Sequence, residues 1–230
     1  MKLLAFDTST EHLSIAVQHG DARWAHQGAG GAQSSATLIP AALGLLAQAG
    51  LTLDALDAIV FGRGPGSFTG LRTACAVAQG LAFGAGVPVL PVDTLMAVAE
   101  DARMAHGATR VLALLDARMN EVYAAAWQWA ASGWQFEGPA RAYAPEAVAP
   151  PPGDGWVLAG NAFAVYGERF APALQPLRRV EALPTAGALL SLAPGLLAAG
   201  CAVEAAQALP VYIRDKVAQT TAERAAASAR

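Results

Sequence analysis

Between residues 62 and 72 the chain reads Gly62-Arg63-Gly64-Pro65-Gly66-Ser67-Phe68-Thr69-Gly70-Leu71-Arg72, with four glycines and one proline. Glycine opens backbone conformations closed to other residues, and proline fixes one dihedral. The run sits between an apolar strand-like segment, Ala58 to Phe61, and a long small-residue helix from about Ser67 to Phe83. It is therefore a loop of specified shape that opens a helix. Two kinds of structure have that look, a phosphate cradle and a shaped helix entry.

The residue types separate them. A Walker-type phosphate loop ends in Gly-Lys-Ser/Thr, so that lysine reaches the phosphates and a hydroxyl holds magnesium. Here Phe68 follows Gly66-Ser67, and no lysine occurs between Lys2 and Lys216. A Walker site is excluded. Serine nucleophile catalysis asks for Gly-x-Ser-x-Gly, which Gly64-Pro65-Gly66-Ser67 does not supply. Ser67 reads as a helix N-cap, worth about 1 kcal/mol. His12, His19, His26 and His106 lack metal-ligand spacing. No cofactor or metal is expected.

Apolar runs and turn signals set the organisation. Leu3 to Phe6 reads as a buried strand ending in the turn Asp7-Thr8-Ser9-Thr10, with further strands at His12 to Gln18 and Ala22 to Gln27. Ser34 or Ser35 is expected to cap a helix running to about Ala49, with Leu38, Leu45 and Leu46 near one face. Val87 to Val92 follows as a strand and Thr94 to His106 as a helix. Then the pattern restarts: Leu112-Ala113-Leu114-Leu115-Asp116 aligns with Leu3-Leu4-Ala5-Phe6-Asp7, and Glu121 to Ala126 with His12 to Val17, without a gap. Strand–Asp–turn–strand units opening both halves point to a structural duplication. Asp7 and Asp116 could clamp a nucleotide between two lobes, but neither turn holds the glycine that phosphate contact needs, and Glu11 would repel phosphate. Each aspartate is expected to accept turn amides instead. Later come strands within Trp127 to Arg141, a proline-rich connection at Pro145 to Gly155, a strand at Trp156 to Ala159, a helix at Thr185 to Gly200 and an extended piece at Leu209 to Arg214. The expected division is 1–107 and 108–217 as lobes, with 218–230 a flexible tail.

Composition narrows the partners. Hydrophobic residues make up 54 % of the 230, charged residues 14 %, and the net charge is −3. No broad basic surface for nucleic acid is available. No uninterrupted apolar segment reaches membrane-spanning length, and the N-terminus lacks signal-peptide form. Cys75 and Cys201 read as buried free thiols of a cytoplasmic protein. So apolar and weakly charged a chain either hides surface in a partner or risks aggregating, and association with a partner is expected. Gly70, Ala74, Ala78 and Ala82 form a small-residue stripe along the helix after the loop, flanked by Leu71, Cys75 and Phe83. Two readings stay open: the stripe packs on the protein's own sheet, or one face packs the sheet and another meets a partner's helix. Between Thr73 and Gly86 only Gln79 is strongly polar, and all-round apolarity favours two buried faces.

The stretch Gly62 to Arg72 resembles the signature of the bacterial TsaB (YeaZ) family. Leu4-Ala5-Phe6-Asp7-Thr8-Ser9-Thr10, Asp116-Ala117-Arg118-Met119-Asn120-Glu121-Val122-Tyr123 and Pro210-Val211-Tyr212-Ile213-Arg214 are similar to its other segments, in the family's order. One departure lies near Ser34, where members often carry histidine. The resemblance implies an α/β, actin-like (ASKHA, ribonuclease H-like), duplicated two-lobed fold. It implies a non-catalytic subunit of the machinery that forms N6-threonylcarbamoyladenosine at position 37 of tRNAs reading codons that start with A. The implied partners are TsaD, as a heterodimer through N-lobe helices, the ATPase TsaE through that pair, and a second copy when alone, with tRNA met only through the complex. On this reading Leu38, Leu45, Phe68, Gly70, Leu71, Ala74, Cys75, Ala78 and Ala82 are the expected interface, and Asp7, Gly64, Pro65, Gly66, Ser67 and Asp116 shape the turns. The rival functions are a small-molecule kinase using Asp7 and a metallopeptidase.

Overall fold

β1 (Lys2–Asp7) sends Leu3 and Ala5 to one face and Leu4 and Phe6 to the other, and all four are fully buried. A strand apolar on both sides must be covered on both sides. In the computed structural model, which describes residues 1–138 and 140–214, β1 is the central strand of a five-stranded sheet. β2 (His12–His19) and β3 (Ala22–Ala29) extend it antiparallel on one side. β4 (Ala58–Gly64) and β5 (Val89–Asp93) extend it in parallel on the other. α1 (Ser34–Gln48) and α2 (Phe68–Ala85) cover the face that carries Leu4, Phe6, Ile15 and Phe61.

After α3 (Thr94–His106) the chain builds a second sheet. It comprises β6 (Arg110–Arg118), β7 (Glu121–Ala130), β8 (Gly133–Phe136), β9 (Arg141–Tyr143), β10 (Val157–Gly160) and, beyond the one-turn helix α4 (Phe163–Tyr166), β11 (Arg179–Val180). Its order is β11-β10-β6-β7-β8, with β9 also on β7. α5 (Ala186–Ala198) then returns to the middle of the molecule. α3 and α5 form one helical layer between the sheets, where Leu3, Ala5 and Val60 meet Ala97, Val98, Leu189 and Ala193, and these meet Ala113 and Leu115. The far side of the second sheet is covered more thinly, by Trp156, Tyr166, Phe170 and Leu174 over Leu112, Leu114 and Leu158.

The duplicated hairpin is present, with one refinement. Asp7 pairs with Ser14, whereas Asp116 pairs with Val122, because the second hairpin shifts register between Asp116 and Arg118. That bulge moves the second strand by one residue relative to the ungapped alignment. Two other expectations need correction. Ser34 and Ser35 lie inside α1 and not at its N-cap; a 3-10 turn at Gly31–Gln33 leads into the helix, and Gln33 occupies the cap position without a side-chain bond. Cys201 is exposed just past α5, while Cys75 is buried. The expected extended piece, Leu209 to Arg214, joins no ladder among the described residues, and its Val211 amide donates to the Arg63 carbonyl at 2.7 Å. The expected tail, 218–230, lies outside the described residues.

Candidate partner-docking face and interlobe cleft

The glycine loop owes its composition to the first aspartate turn. A Cβ on Gly62 would stand 1.8 Å from Asp7 Oδ2, one on Gly66 2.6 Å from the Ser9 carbonyl oxygen, and one on Gly70 1.9 Å from the Thr8 carbonyl oxygen. Real Cβ contacts never approach so closely, so the loop can lie on the turn only without side chains there. Gly64, at φ +118°, also takes a backbone conformation that L side chains rarely adopt. Hydrogen bonds then fasten loop to turn: the Ser67 amide donates to the Ser9 carbonyl (2.7 Å) and Thr8 Oγ1 to the Gly70 carbonyl (2.7 Å). The Gly64 amide donates to Thr94 Oγ1 at 3.0 Å. Pro65, joined to Gly64 by a cis peptide, is buried at the apex. Ser67 caps α2, accepting the Gly70 amide at 3.5 Å.

Both aspartates accept turn amides. Asp7 Oδ1 takes the Ser9 amide (2.8 Å) and hydroxyl (2.7 Å), and Asp116 Oδ1 takes the Arg118 amide (2.7 Å). Asp7 is 1 % exposed, and burial pushes its carboxyl up to about 6 against the lowering effect of the Ser9 bonds. It is sealed beneath the glycine loop. The two turns face each other across a cleft of about 360 Å³ lined by Ser9, Glu11, Ser67, Asp116, Arg118 and Arg214 among others, and Asp7 is not on its wall. The cations there are engaged: Arg118 pairs with Asp116 at 3.1 Å and Arg214 with Glu121. No group of three metal-ligating side chains occurs among the described residues.

The structure divides the expected interface. Leu38, Leu45, Gly70, Leu71, Ala74, Cys75, Ala78 and Ala82 are all buried in this chain's own core, and only Phe68 is exposed. The reason is the stripe itself. Small side chains let α2 sit close against the first sheet, and the Cys75 thiol donates to the Ala208 carbonyl at 3.2 Å. Burial raises that thiol above its ordinary range. These eight residues therefore pack within this chain. The outward faces carry Ile39, Leu43 and Gly44 on α1, and Ala76, Gly80, Phe83 and Gly84 on α2. Phe83 is 84 % exposed, and nothing lies within 4 Å of a Cβ built on Gly44, Gly80 or Gly84. The sequence held this signal one position away: where Leu38, Ala42 and Leu45 face in, Ile39 and Leu43 must face out.

The profile of the family described as "TsaD: tRNA N6-adenosine threonylcarbamoyltransferase" matches residues 26–221. The Escherichia coli K12 protein named tRNA threonylcarbamoyladenosine biosynthesis protein TsaB is 37 % identical over 223 residues, covering 95 % of this chain and 96 % of the relative. The chain belongs to the TsaB family. A Haemophilus influenzae protein of the same name is 46 % identical over 123 residues, 54 % of this chain and 52 % of that relative. Among solved structures, YeaZ from Pseudomonas aeruginosa superposes with a TM-score of 0.84 at 44 % identity, over 92 % of this chain and 99 % of that one. The fold is thus actin-like and ribonuclease H-like, as the family resemblance implied. No helix among the described residues is long and apolar enough to cross a membrane.

Proposed function

We propose that this TsaB-family chain is a non-catalytic subunit of the cytoplasmic machinery that forms N6-threonylcarbamoyladenosine at position 37 of tRNAs reading codons that start with A. It works by pairing with TsaD through the outer faces of α1 and α2, and TsaE and tRNA engage the pair. A second copy takes the same face when TsaD is absent. Binding energy spent on one TsaD conformation is its contribution. The observation that carries this reading is the outer helical face: apolar side chains at Ile39, Leu43 and Phe83, and glycines at 44, 80 and 84 with open space above them. Glycine inside a helix costs about 1 kcal/mol relative to alanine. An outward glycine with nothing above it makes sense where another backbone approaches closely.

Gly80→Arg tests the proposal. The open space lets the monomer fold, while a long cation occupies the seat of the partner helix. Size exclusion with purified TsaD is expected to give a heterodimer for the wild-type chain and separate peaks for the variant. A heterodimer that survives Gly80→Arg would sink the docking-face reading. Ala78→Arg would be a poor test, since Ala78 lies in the core. The kinase reading needs Asp7 in the cleft, and Asp7 is not on its wall; calorimetry with Mg-ATP on the isolated chain is expected to show no tight binding.

A further inference from the structure

We infer that residues 208–214 form a strap that holds the cleft between the two aspartate turns closed, with Arg214 as its latch. One end is fastened to the first sheet's side. The Ala208 carbonyl accepts Cys75 Sγ (3.2 Å) and Gln79 Nε2 (2.8 Å), both from α2. The Val211 amide donates to the Arg63 carbonyl, and the Val211 carbonyl fills the space that Gly64 leaves open, 2.6 Å from where a Cβ would stand. Tyr212 packs its ring on Phe68, 5.6 Å between centroids, and its hydroxyl accepts Arg72 Nε at 3.0 Å.

The other end crosses to the second sheet. Arg214 pairs with Glu121, donates to the Arg118 carbonyl at 3.4 Å and reaches Met119 Sδ at 3.6 Å. Its side chain is only 15 % exposed. The turn it grips is held in an unusual state: Arg118, Met119 and Asn120 have φ of 59°, 53° and 60°. Three successive left-handed residues with side chains persist only where surroundings fix them. Arg214 does so from the strap side, and Arg169 does so from the second sheet's side by donating to Asn120 Oδ1 at 3.0 Å. The strap is also a wall of the cleft, through Val211, Tyr212, Ile213 and Arg214. A separate bond joins the lobes, Asn161 Nδ2 to Glu11 Oε1 at 3.2 Å, between exposed side chains. The strap is the more buried of these two ties.

Hydrogen exchange on the full chain tests the latch. Glu121→Gln weakens it from the far lobe, without touching the strap. Arg214→Ala weakens it from the strap. Breaking a partly buried charge-assisted bond is worth about tenfold in local opening. In both variants the Val211 amide and the Arg118 amide are expected to exchange about tenfold faster, with α5 amides unchanged. The Glu121→Gln result decides. Acceleration at Val211, across the cleft from the substitution, supports the strap. A Val211 amide unchanged in Glu121→Gln overturns it, whatever Arg214→Ala does.

Discussion

Asp7 shows how one side chain couples this fold to pH. An unfolded aspartate titrates near 3.9, and in the folded chain burial lifts Asp7 to about 6. Between those values the folded state keeps a proton that the unfolded chain has released. Its contribution to stability is therefore complete below about pH 4 and is lost as pH rises through 6, about 3 kcal/mol in all. Asp7→Asn keeps an acceptor for Ser9 and carries no charge. The stability of wild type relative to Asp7→Asn, from urea unfolding, is expected to fall by about that amount between pH 4 and pH 7. A difference that does not change with pH would rule the argument out. The bonds Asp7 makes were legible because an aspartate and the next two residues decide an Asx turn. Its burial was not, since that comes from Gly62 and Gly66, far along the chain.

At the scale of the element, α2 carries a helix with two unlike glycine environments. Gly70 sits against the Thr8 carbonyl, and Gly84 faces open space. Gly70→Ala gains helix propensity but drives a methyl into hydrogen-bonded backbone, and a net loss of roughly 2–4 kcal/mol is expected. Gly84→Ala has only the gain, up to about 1 kcal/mol. Opposite shifts of the urea midpoint would check the pair; two shifts of the same sign would refute this account of α2. The sequence showed that α2 packs closely, through its stripe of Gly70, Ala74, Ala78 and Ala82. It did not show which side was outward, because a helix with one polar residue over most of its length has no solvent marker. α4 went unread for a different reason: four residues carry no periodicity. The cap at Ser34 failed because Gly31 to Gln33 had already begun to wind.

A polar hub ties α3, α5 and β8 together. Glu100 of α3 accepts Arg103 (2.8 and 2.7 Å), Ser191 of α5 (2.5 Å) and Trp134 of β8 (2.9 Å). Burial alone would raise its carboxyl, yet the bonds from Arg103, Ser191 and Trp134 together outweigh that and hold it below the usual range. With a lowered folded value, the stability it contributes is present above the ordinary glutamate range and lost as pH falls. Glu100→Ala leaves three donors without their acceptor and is expected to cost about 3–5 kcal/mol. A urea-measured loss under about 1 kcal/mol would contradict the hub. The repeated strand–Asp–turn–strand unit made the two sheets legible. Their shared helical layer was not, because Thr185 to Gly200 is apolar all round and names no destination.

That shared layer has a consequence for synthesis. α5 covers the inner face of β1 and β2, and the Ala186 amide donates to Ser14 Oγ at 2.8 Å across 172 residues of sequence. The first hairpin is translated 172 residues ahead of the helix that closes its sheet. Until then Leu3, Ala5 and Val60 lack part of their cover. Contacts of such long separation form late and slowly. Over that stretch of synthesis the nascent chain carries an open apolar sheet, the kind of surface that holdase chaperones bind.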